Sequence, residues 1–103
     1  MIAVCGNRNV STTWDLDGAA AAENILVAAT ALGLGTAWVG GHSSALWDAV
    51  SSVFAEAVCA PADIGLLTLI AVGYAAEDRP AHTEADVWNP NRVHWDRWGN
   101  YRE

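Results

Sequence analysis

Apolar residues fall in five blocks along the chain, and the spacing inside each block differs. The first, IAVCG at residues 2–6, holds Ile and Val and stops at Gly6-Asn7, which predicts a short buried strand. After the polar loop NRNVSTTW, residues 15–32 repeat apolar side chains at intervals of three and four. Ala22, Ile25, Leu26, Ala29 and Leu32 therefore share one face of a predicted helix. Asp15 or Asp17 can cap its free N–H groups, and Gly33 stands where a left-handed residue would end it. The alanines of the first turns predict close packing against another element. TAWVGG, residues 36–41, suits a second strand. Ser43 or Ser44 can cap a further helix, with Leu46, Val50, Val53, Phe54 and Ala57 as its apolar face. CAPAD makes a turn around Pro61. The uninterrupted run GLLTLIAVGYA, residues 65–75, predicts a central strand covered on both faces.

The order β-α-β-α-β predicts an α/β protein, a sheet layered by helices. The 103 residues hold one domain at most, and three strands make a thin sheet, so residues 1–103 read as part of a domain rather than a whole one. Residues 78–103 show no period, yet carry Trp88, Trp95, Trp98 and Tyr101. So aromatic a tail is expected to lie across another surface, a second copy of the chain being one such surface.

Composition narrows the function. An apolar fraction of 52% is ample for a core. Twelve acidic residues face five arginines and no lysine, a net charge of −7. That balance argues against nucleic acid and against anionic membranes, both of which are held by clustered cations. The apolar blocks are broken well before the roughly 20 residues of a membrane span, and MIAVCGNRNV lacks the features of a signal peptide. Cys5 and Cys59 make no disulfide framework, so a cytoplasmic setting is expected.

Most motif readings fail. In LGLGTAWVGG, residues 32–41, Gly33 and Gly35 could open a G-x-G-x-x-G fingerprint, but Trp38 takes the third glycine's place. The helix also precedes the glycines instead of following them. No G-K-S/T, no metal-ligand spacing among His42, His82, His94 and the cysteines, and no G-x-S-x-G elbow occurs. Cys5 has no neighbouring base to activate it. Gly33 and Gly35 are explained as a helix stop and a turn. Gly40-Gly41 can simply end a strand, or can let a flat ligand approach the backbone at a strand's carboxyl end. The residues themselves leave both readings open.

Three passages taken in order resemble the C-terminal half of the nitroreductase family: WDLDGAAAAENILVAATALGLGTAWVGG, then APADIGLLTLIAVGYAAEDRP, then NRVHWDRW. The likeness runs from Trp14 to Trp98. It implies an α+β layered sandwich with helices packed on a mixed sheet. It also implies an FMN cofactor, a nicotinamide donor, NADH or NADPH, and nitroaromatic, quinone or similar small acceptors. Val39, Gly40, Gly41 and His42 would lie against the flavin ring, at the interface of a homodimer, and no catalytic side chain or metal is implied. Family members hold the FMN phosphate with an N-terminal Arg- and Ser-rich segment that this sequence lacks. They add basic residues near the tail, where TEADV, residues 83–87, is acidic. Arg79 and Arg92 are the nearest cations in sequence. Two rival expectations follow: a non-catalytic dimeric module that keeps the scaffold, or one half of a split flavoenzyme.

Overall fold

The computed structural model describes residues 1–40 and 44–101. Strand β1 (Ile2–Asn7) leads to helix α1 (Trp14–Ala31), strand β2 (Gly35–Val39), helix α2 (Ala45–Val58) and strand β3 (Ile64–Gly73). A one-turn helix α3 (Glu84–Val87) and a 3₁₀ turn (Pro90–Arg92) follow. The sheet order is β1-β3-β2, and β3 pairs antiparallel with both neighbours. The layered helix-on-sheet architecture is the one expected, with antiparallel pairing throughout the described strands.

One irregularity organises the core. Val4 pairs with Thr68 but Cys5 pairs with Leu66, so Leu67 is an extra residue on β3. Such a bulge resets which side chains face which way. Leu67 and Ile70, which simple alternation would place on opposite faces, both pack with Val4 and Ala22 under α1. Beyond the bulge, Gly6 and Gly65 form a cross-strand pair. A Cβ on Gly6 would fall 2.9 Å from Trp14 Cε3, and one on Gly65 2.8 Å from Trp14 Cη2. The two glycines thus make the space into which the first residue of α1 lowers its indole. The guanidinium of Arg8 covers the same ring, 5.6 Å from its centroid.

Ala22, Ile25, Leu26 and Ala29 face the sheet side as their spacing requires, but Leu32 is exposed, because it is the C-cap and lies past the last turn. Gly33 follows at φ +74°, the left-handed stop expected there. The N-cap is Thr13. Asp15 and Asp17 sit in the first turn, where Asp15 accepts from the Leu16 N–H and Asp17 from the hydroxyls of Ser11 and Thr13.

Helix α2 departs further from its expected face. Ser44 caps it by accepting the Trp47 N–H, and Trp47 is its one buried residue. Trp47, Ser51 and Ala55 line the space under α2 beside Leu66. Leu46 and Val53 are 77% and 68% exposed, and Ala57 is exposed as well. Among the described elements the helix touches β3, and the large indole at position 47 decides which stripe is buried. Its N–H donates to the Leu66 carbonyl at 3.3 Å, in the part of β3 that β2 does not reach. Trp47→Phe removes that donor and leaves a buried carbonyl short of a partner, and is expected to cost about 1–2 kcal/mol in a urea unfolding titration.

A complete monomer of this mass would have a radius of gyration of about 13 Å and would expose about 5,600 Å². The chain has 17.5 Å and 8070 Å². The surplus, about 2,500 Å², is on the order of what a large obligate interface buries. The fold is incomplete as a single chain. Leu16 and Val27 on α1, Leu46 and Val53 on α2, and Trp88 and Trp98 in the tail are among the large apolar side chains left uncovered.

Candidate functional site

The candidate site is built where β2 runs out. Trp38 stands opposite Ile70 and Val39 opposite Leu69, the last rung of the β2–β3 ladder. Trp38 and Val39 are 42% and 48% exposed at the edge of the sheet, and as strand neighbours they point to its two faces. The Val39 carbonyl accepts the Thr68 hydroxyl at 2.7 Å. Gly40 then passes close to β3. A Cβ there would lie 3.3 Å from Trp38 Nε1, 3.4 Å from the Leu67 carbonyl and 3.5 Å from Thr68 Oγ1. Glycine is the residue that fits this approach without crowding.

Of the four expected site residues, Val39 and Gly40 are thus brought together at the carboxyl end of β2. Gly41 and His42, with Ser43, lie outside the described residues. Thr68 was not singled out from the sequence. Its signal was there: it is the one polar side chain within the run LLTLIAV, and it is fully buried.

The charged groups stand elsewhere. Arg79 lines an open cleft with Thr30, Gly35, Thr36 and Tyr74, at the opposite end of β2 from Gly40. Five strand residues separate the two ends by about 13 Å. Arg79 is paired with Glu77 at 3.6 Å on the surface, a contact of little energetic weight. In TEADV, the Asp86 carboxylate accepts both the backbone N–H and the hydroxyl of Thr83, at 2.8 and 2.7 Å. Those bonds hold its pKa below the ordinary value. The acidic stretch therefore closes its own turn. Cys5 is exposed rather than buried, because it lies on the face that α1 does not cover, and partial desolvation raises its thiol pKa. Among the described residues no group of three or more His, Cys, Asp and Glu could hold a metal, and no helix is long and apolar enough to cross a membrane.

In the tail, the His94 ring stacks on Trp98 with centroids 4.0 Å apart and leans on Tyr101 at 4.8 Å. His94 Nδ1 accepts the Gly99 N–H at 3.1 Å, while the Trp95 N–H donates to the Asn100 carbonyl and the Asn100 side-chain amide to the Trp95 carbonyl. Left-handed Asp96 and Gly99, at φ +64° and +85°, make the reversal possible. The tail is thus a compact aromatic knot.

Apolar ring contact fits the end of β2, and a phosphate does not. Trp38, Val39 and Gly40 are uncharged and let a ligand come close to the backbone, and no cluster of cations stands beside them among the described residues.

A sheet layered by helices defines the class of α+β folds. Comparison with known proteins narrows it. The model of the nitroreductase family matches residues 12–74. The "Putative NADH dehydrogenase/NAD(P)H nitroreductase" of Archaeoglobus fulgidus is 30% identical over 94% of this chain and 56% of its own. Among solved structures, an FMN-dependent nitroreductase from Clostridium difficile superposes with a TM-score of 0.84 at 22% identity, over 93% of this chain and 56% of its own. A "Putative NADH dehydrogenase/NAD(P)H nitroreductase" from Bacteroides thetaiotaomicron gives 0.82 at 29% identity, over 93% and 54%. The chain belongs to the nitroreductase family. It spans about half the length of the relatives it matches.

Proposed function

We propose that the chain is part of an FMN-dependent oxidoreductase of the nitroreductase type, working in the cytoplasm as a homodimer. The observation that carries this reading is the family match over residues 12–74, a stretch that contains the candidate strand end. When bound, FMN supplies the hydride-accepting centre for NADH or NADPH and hands electrons to nitroaromatic, quinone or similar acceptors. This chain's residues bind and orient. Val39, Gly40, Gly41 and His42 form the ring-contacting stretch, with Gly40 allowing the backbone close. Trp38 adds apolar surface and excludes water beside it. Residues 1–103 act as a single C-terminal unit of the family's domain, and the aromatic tail of residues 78–103 packs on the partner copy. The surplus of exposed surface supports such a partner.

The test is direct. The purified chain should take up FMN with quenching of tryptophan emission, and the complex should oxidise NADH or NADPH in the presence of a nitroaromatic or quinone. A colourless protein whose emission FMN neither quenches nor shifts would overturn the reading for the chain alone. The acidic TEADV stretch, whose Asp86 accepts from Thr83, favours a second reading, in which the phosphate grip comes from a separate polypeptide. Recovery of flavin binding on co-expression with a phosphate-binding segment would select it. A non-catalytic dimeric module would recover none.

A further inference from the structure

We propose that the Thr68 hydroxyl is a positioning group that fixes the exit of β2 and so sets the backbone laid against the ligand. This rests on the reading of that strand end as the flavin contact. Thr68 is fully buried in the central strand. A Val there would match its size and strand preference, so the strand itself does not need the hydroxyl. What the hydroxyl adds is its 2.7 Å bond to the Val39 carbonyl, across the last rung of the ladder; among the described residues its other acceptor contact is the Leu69 carbonyl at 3.4 Å. The bulge residue Leu67 immediately precedes it, and Gly40 passes within van der Waals reach of both.

Peptide geometry carries the consequence outward. In a trans peptide the carbonyl and the following N–H point in opposite directions. With the Val39 carbonyl held toward Thr68, the Gly40 N–H is turned away from β3, toward the open side of β2. One buried side chain thus orients a backbone donor at the strand end. The Val39–Gly40 peptide leads out of the last rung, and without that bond the glycine leaves it freer to turn.

Three variants of the full chain decide the matter, read by the NMR resonances of the Val39 carbonyl carbon and Gly40 amide nitrogen and by FMN titration. Thr68→Val should keep the far-UV spectrum and move both resonances, since the carbonyl of that peptide loses a hydrogen bond. It should weaken FMN binding about tenfold and shift the bound flavin's absorption, and Thr68→Ser should restore both. Should Thr68→Val fail to fold, Thr68→Cys, a weak donor of similar size, should move both readouts in the same direction by less. Unmoved resonances at Val39–Gly40 in the folded Val or Cys variant overturn the proposal. Moved resonances with unaltered FMN affinity overturn it as well. If wild type does not bind FMN at all, the flavin reading fails separately, and the resonances still decide whether Thr68 holds the strand exit.

Discussion

Ile70→Ala is expected to lower the unfolding free energy by about 3 kcal/mol, the cost of an emptied core site. Ile70 is fully buried in the middle of the central strand. It stands opposite Ile2 on one side and Trp38 on the other, and packs with Val4, Ala22 and Leu67 beneath α1. Truncation therefore loosens both edge strands and the helix at once, and no flexible neighbour stands ready to fill the space. The protein is poorly placed to absorb the loss, since its few buried side chains support a large exposed surface. Urea unfolding followed by circular dichroism measures the change, with Ile70→Val as a control expected to cost about 1 kcal/mol. A loss below about 1 kcal/mol for the alanine variant would show that the cavity collapses and that the core does not centre on Ile70.

The elements around this core were legible because their periods are clean. The helix expected over residues 15–32 is Trp14–Ala31, and the strands expected over 2–6, 36–41 and 65–75 are Ile2–Asn7, Gly35–Val39 and Ile64–Gly73. Gly33 and Ser44 perform the stop and the cap that their residue types suggest. The failures share a cause: they depend on partners distant in sequence. The bulge at Leu67 exists only through its pairing with β1, so the unbroken burial from Gly65 to Thr68 cannot be parsed from the run itself. The seat of Trp14 needs two glycines separated by 59 positions to meet across the sheet. On α2 the apolar count favoured Leu46, Val53 and Ala57, yet helix rotation follows the one indole that finds a carbonyl on β3.

The site divides along the same line. Gly40 could be suspected from its place after an apolar strand, because a strand's carboxyl end is a local feature. Thr68 could not be connected to it, since the bond to Val39 spans 29 residues. The acidic character of TEADV is likewise local: it offers no cation in sequence, and in the fold its Asp86 accepts from Thr83.

Gly40→Val should weaken FMN binding about a hundredfold, as 2–3 kcal/mol of crowding would require. A single Cβ at this position already comes within 3.3 Å of Trp38 Nε1 and 3.4 Å of the Leu67 carbonyl. The indole can yield, but the carbonyl belongs to the bulge and cannot. The added branches of valine must therefore push the Val39–Gly40 peptide outward, into the surface where a flat ring would rest. Global stability should change much less, because residue 40 is exposed and lies beyond the final rung. Trp38 supplies an internal reporter, since its Nε1 is the nearest atom to the new side chain and its emission should shift even without ligand. Gly41→Val is expected from the sequence to abolish flavin binding as well, although that residue lies outside the described part of the structure. A Gly40→Val protein with shifted Trp38 emission and undiminished FMN affinity would remove the strand end from the flavin site. Unshifted emission would instead show that the bulge gives way and that no close approach exists at residue 40.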